Sequence, residues 1–282
     1  MSEWSIETPI DTFEHLETGS VVDIVSVIHV GQPSYYRTLG SYIMARQDEG
    51  FEVQYEEISY NPDVPLRPGI LTRIKDKIDD AKTDASVDID LTVERVTSWT
   101  FQRNELLFRQ EGARNIDLDY SEMLPEESVL RKAYELLSFK VGQRKIARLA
   151  RQDPNLLEEY LFRQMKKVAD KHEAGQANSH RRKKRVTIGM RNERALEGVD
   201  ASLESDPAAK LVLVWGRGHL EGLQSGLIER GYEHNGRQDV EAIFNATLLE
   251  KSAEKTRREL VELTEKQAKA EAKLQKPRRQ LH

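Results

Sequence analysis

The chain contains no cysteine. No disulfide can staple it, and no thiolate can attack a substrate or hold a metal, so any strong protein ligand to a metal ion has to be His, Asp or Glu. It also lacks any apolar run near the roughly eighteen residues that a membrane-spanning helix needs. The opening Met1-Ser2-Glu3-Trp4 has no basic and then apolar layout of a secretory signal. No membrane span and a cytoplasmic location are therefore expected. Excess positive charge is missing as well: the formal net charge is −5, which argues against a general nucleic-acid binder, because phosphate neutralisation needs a basic face. There is no Gly-Lys-Ser phosphate loop, no nucleophile elbow and no HExxH helix, so nucleotide hydrolases, elbow-type serine esterases and typical zinc peptidases lose support.

What is present is a globular composition, 38% hydrophobic and 32% charged over 282 residues, long enough for a proper core. Val21 to Val30 is nearly continuous and β-branched, as a strand covered on both faces should be. Pro33 then opens a helix through Tyr35, Leu39, Tyr42 and Ile43, Gly50 closes it, and a second strand begins at Phe51. This strand, helix, strand order forces parallel pairing. The loop Asn61 to Gly69 carries three prolines and could cover the mouth of a site. Leu71 to Phe108 is mixed with helical spacing at both ends, and Asn115 to Asp119 reads as a short strand or strand exit. Helical periodicity returns over Val129 to Leu149 and Leu156 to Val168, the second helix announced by Asp153 as cap and Pro154 at its first position. These two helices are expected to form an inserted hairpin within 126–173. Gly175 to Ser179 is a polar break, and Val186 to Leu203 is a further helix.

In the second half, Leu211 to Trp215 is the clearest strand, a Gly216-Arg217-Gly218 turn feeds a helix from Leu220 to Arg230, and Gly231 caps it. A last short strand is expected near Tyr232 or over Val240 to Phe244. Residues 1–245 thus form one α/β domain, and 246–282 a charged helical tail. Leu249, Ala253, Thr256, Leu260, Leu263, Gln267, Ala270 and Leu274 follow alternating steps of four and three along that tail. They suit either a homodimerising coiled coil or a solvated helix.

Two histidines stand out among the seven. His29 ends the first apolar run and His219 follows the clearest strand, each before a helix start, where open α/β sheets build their sites. Ser26 and Gly216 stand three residues before them, and Gly216 and Gly218 let the backbone turn sharply. A third strand end supplies Glu56 and Glu57; their side chains alternate in direction, so one of them, Glu56 in our reading, faces the histidines. Two imidazoles and a carboxylate suit a divalent metal, while a tight strand-to-helix turn with no ligand explains the same pattern. Glu56 is either a ligand or the base that activates a water. Arg191 either clamps a substrate or makes a surface ion pair. Asp117 binds metal, orients a histidine or caps a helix. The basic run His180 to Arg185 has no interleaved aromatics and reads as a solvated helix entry.

With these residues in hand the chain resembles the TraB/PrgY/GumN/Tiki group of the EreA/ChaN-like superfamily. The matching pieces, in order, are Val27 to Gly31 with Tyr35, Tyr36 and Leu39; Val53 to Glu56; Thr100 to Gln102; Asn115 to Asp117; Arg191-Asn192; and Gly216 to Leu220 with Gly231-Tyr232. The resemblance implies a compact fold of two related halves, each with a GxxH element at a strand end, and metal-dependent hydrolysis of a peptide or amide bond. His29, Glu56 and His219 would hold manganese, cobalt or a similar divalent ion, zinc not ranking above manganese, and Arg191 and Asn192 would support them. Ser26 stands where the family usually has glycine, and relatives' membrane segments have no counterpart in this tail. The alternatives are a non-catalytic binder of a metal, haem or peptide, and an ester hydrolase using histidine as base without metal.

Overall fold

The computed structural model describes residues 3–57, 70–102, 112–118, 129–173 and 182–274. The expected mouth loop Asn61 to Gly69, the polar break Gly175 to Ser179 and the side chains of the basic run His180 to Arg185 lie outside the described residues. A six-stranded mixed sheet forms the centre. It is built from β1 (Ser5–His15), β2 (Val21–Val27), β4 (Glu52–Tyr55), β6 (Arg114–Asn115), β7 (Lys210–Gly216) and β8 (Tyr232–Phe244), in the order β6-β4-β7-β2-β1-β8. β6, β4, β7 and β2 run parallel, and β1 and β8 close the sheet antiparallel. A two-residue strand β3 (Val30–Gly31) pairs with β5 (Thr100–Phe101) beside it.

The parallel strands are buried on both faces, and the two-residue period sorts their side chains. Val25, Val27, Val212 and Val214 enter one core with Tyr35, Tyr36, Leu39 and Ile43 of helix α1 (Pro33–Asp48). Ile24, Leu211, Leu213 and Trp215 enter the other core, with helices α5 (Arg182–Ser205) and α6 (Leu220–Glu229) supplying Leu196, Val199, Leu223 and Leu227. The helices after β2 and β7 therefore cover opposite faces of adjacent parallel strands. A crevice opens at the carboxyl ends of such a pair.

Two helices, as expected, occupy the described part of 126–173, and a third packs beside them. Helix α2 (Ile70–Val96) packs along α3 (Val129–Gln152): Lys82 meets Glu135 and Asp88 accepts from Gln143, so both helices climb in the same direction. α4 (Pro154–Glu173) then lays Phe162 and Ala169 into the α1-side core, its start capped by the Asp153 carboxylate on the Asn155 N–H at 2.9 Å. α7 (Ala246–Leu274) is the expected tail helix; Leu249, Ala253, Thr256 and Leu260 of its seam are exposed. Among the described residues no helix is long and apolar enough to cross a membrane.

Two strands depart from the sequence reading. β1 has no counterpart there, because Pro9 and the polar inward residues Thr8 and Asp11 disguise it. Pro9 is tolerated because the β2 ladder begins only at Ile10, leaving β8 as the sole strand paired with the segment before it. β8 is one strand of 13 residues rather than a short one; its exposed middle, Glu233 to Asp239, hides the pattern in polar side chains.

Candidate functional site

Three adjacent parallel strands deliver the three expected groups. β4, β7 and β2 are neighbours in that order, with Tyr55 opposite Val214 and Val27 opposite Gly216. Glu56, His219 and His29 follow their ends by one, three and two residues. All three line one cleft of 620 Å³ together with Arg191 and Arg217.

His219 arrives on a short 3-10 turn, Arg217–His219, and is buried. Its Nδ1–H donates to the Asn192 Oδ1 of α5 at 2.6 Å, and its Nε2 faces the Glu56 Oε2 at 3.5 Å. Asn192 itself is buried against Gly222, where a Cβ would lie 1.9 Å from its Nδ2. His29 repeats the logic on the β2 side but in the open, as an exposed residue. Its Nδ1 pairs with the Gln102 Oε1 at 2.9 Å, and its carbonyl accepts from the Gln102 N–H at 2.9 Å. The strand exit beneath it is pinned by two tyrosines: Tyr35 OH donates to the Ser26 carbonyl and Tyr36 OH to the Ile28 carbonyl, at 3.2 and 2.9 Å. Burial pushes the Tyr35 hydroxyl well above its ordinary range, with the Thr8 hydrogen bond opposing.

Glu56 is almost fully enclosed, its side chain 8% exposed. Burial raises its pKa, with the charges of Arg191 and His29 and the Gly216 backbone bond opposing. Gly216 leaves the carboxylate its room: a Cβ on it would sit 2.7 Å from the Glu56 Oε1, which would have to shift. Arg191 reaches the Glu56 Oε2 at 3.2 Å and grips Asp117 with two bonds, at 2.9 and 2.6 Å. Burial works against its charge, but the Asp117 hydrogen bonds and the two carboxylates outweigh it. Arg191 is thus part of a partly buried ion network rather than a surface pair. Asp117, its side chain fully buried, orients the guanidinium and accepts from the Leu118 N–H. Breaking such a network by removing one partner costs about 3–5 kcal/mol.

Among the described residues no three His, Asp or Glu side chains converge closely enough to hold an ion as they stand. The donor set nevertheless suits one. An Nε2 lone pair aimed at a carboxylate oxygen repels it unless a cation, a proton or a metal ion, lies between them. Tying each Nδ1 to an amide oxygen is also how ligating imidazoles are held. What the sequence reading missed is the role of Gln102 as the clip on His29. It lies 73 positions away, and no local spacing announces the contact. No family model, curated protein or solved structure matches the chain significantly.

Proposed function

We propose that this chain is a metal-dependent hydrolase of the TraB/GumN/Tiki type on an EreA/ChaN-like fold, cleaving a peptide or amide bond. The observation that supports it is the convergence of two imidazoles and one carboxylate from three adjacent parallel strand ends on one cleft. His29, Glu56 and His219 would hold a divalent ion such as manganese or cobalt. Such an ion supplies Lewis acidity and a nucleophile at neutral pH. Asn192 and Gln102 keep Nδ1 protonated on each ring and so keep Nε2 available. Glu56, held by Arg191 and the Gly216 N–H, is placed to accept a proton from an attacking water. Arg191 carries the positive charge that steadies an oxyanion forming nearby.

Elemental analysis, paired with digestion of a broad peptide library in added manganese, tests this on the parent and on His219→Ala. Bound metal and cleavage in the parent, with neither in the variant, are expected. Turnover unchanged by His219→Ala overturns the proposal, and metal without cleavage turns the reading to a binding protein. One observation favours a metal-free variant of the chemistry: His219, braced by Asn192 and facing Glu56, already has the geometry of an oriented general base. That reading requires activity to survive chelation.

A further inference from the structure

The cleft has two unlike walls. The strand ends and α5 present His29, Glu56, Arg191, Arg217 and His219. The wall facing them comes from α4, which contributes Met165, Val168 and Ala169 and the uncharged Gln164. Positions 165, 168 and 169 lie at i, i+3 and i+4, one stripe of the helix. The charged residues of the same turns point elsewhere: Arg163, Lys166, Lys167 and Asp170 line a separate cavity of 930 Å³ shared with α7. α4 thus sorts its side chains, apolar toward the chemistry and charged away from it. Part of this apolar stripe is left uncovered, for Val168 is 56% exposed. Ile28 and Ile188, both half-buried, continue the apolar surface across the cleft floor and onto α5.

We propose that this stripe of α4 is a recognition subsite for an uncharged, apolar side chain of the substrate, flanking the bond that the polar wall acts on. The inference rests on the hydrolytic reading of the cleft and narrows its substrate to peptides or acyl amides carrying a hydrophobic residue at that bond. An aliphatic or aromatic group laid against Met165 and Val168 leaves water without leaving any polar partner behind. A charged side chain there would lose its hydration with no counter-ion on the wall. The unbranched thioether of Met165 adapts to more than one shape, so the subsite sorts by polarity more than by outline.

The experiment measures binding, with no bond broken. The full chain and Val168→Glu are titrated with four N-acetyl amino-acid amides, of leucine, phenylalanine, aspartate and lysine, and read by saturation-transfer NMR. The leucine and phenylalanine amides should bind about tenfold tighter than the charged pair, and Val168→Glu should erase most of that preference. Val168→Thr, close in shape, should fall between the two. Equal binding of all four amides, no transfer to the leucine amide, or an unchanged preference in Val168→Glu overturns the subsite. Sorting of the amides by a chain that cleaves no library peptide supports the subsite and counts against the hydrolase.

Discussion

The two histidine-bearing strand ends lie side by side in the sheet and yet are built differently. On the β7 end, His219 is buried, its ring is locked by a buried asparagine, and two glycines, Gly216 and Gly222, leave space for Glu56 and Asn192. On the β2 end, His29 is exposed and held at two points by Gln102, above backbone carbonyls pinned by Tyr35 and Tyr36. One imidazole is part of the packed interior; the other is hung over the cleft from a small two-stranded clip. On the proposed reading the first would fix the carboxylate cluster and the second complete it from the solvent side.

Replacing each ring in turn breaks the comparison most sharply. Both His219→Ala and His29→Ala should lower turnover by a factor of a thousand or more if both hold the ion, on the order of 4 kcal/mol in transition-state terms. Only His219→Ala should also lower stability, by about 2–3 kcal/mol, since it leaves a buried Asn192 unpaired. Chemical denaturation beside kinetics separates the two effects. Equal stability losses would erase the distinction. A Gly216→Ala chain should resemble His219→Ala, because the added methyl displaces the Glu56 carboxylate; circular dichroism melts and metal content would report it.

The amide partners should rank in the same way at smaller scale. Asn192→Ala is expected to cost about 10–100-fold in metal affinity, and Gln102→Ala less than that, because the β3–β5 ladder still positions the His29 backbone. Metal titration of both variants gives the ranking, and a larger loss in Gln102→Ala would reverse the assignment of duties.

Strong alkali should loosen the β2 end. Tyr35 keeps its proton more tightly when folded than when unfolded, so its contribution is complete below about pH 10, where free tyrosine ionises, and is lost as pH rises through the folded value. A tyrosinate absorbance titration should show His29-side protection failing only after exposed tyrosines have ionised. The smallest effect belongs to Ser26, whose buried hydroxyl has no hydrogen-bond partner among the described residues: Ser26→Ala should stabilise the chain by about 1 kcal/mol, read from the denaturation midpoint.

The parts of this arrangement that were legible in the sequence are those set by neighbours along the chain. Pro33 and Gly50 bracket α1, Asp153 and Pro154 start α4, and Gly231 ends α6 at a φ of +87°. The strand-terminal placement of His29, Glu56 and His219 follows from the same local punctuation. β1 was hidden because its inward side chains include Thr8 and Asp11, which are satisfied by tertiary partners, Tyr35 for the first and His234, Gln224 and Arg237 for the second. The roles of Gln102 and Asp117 were hidden for a related reason. Each depends on a contact across more than seventy residues, and an amide or carboxylate bears no mark of which distant nitrogen it will meet.

Adjacent β-strands run about 4.8 Å apart wherever they pair. Because Glu56, His219 and His29 leave from three adjacent strands of one sheet, their mutual reach is inherited from peptide geometry that no side-chain replacement can rescale. Diversification of such a protein is left to the helices that overlook it, which can change the cleft's lining while these three side chains keep their pitch.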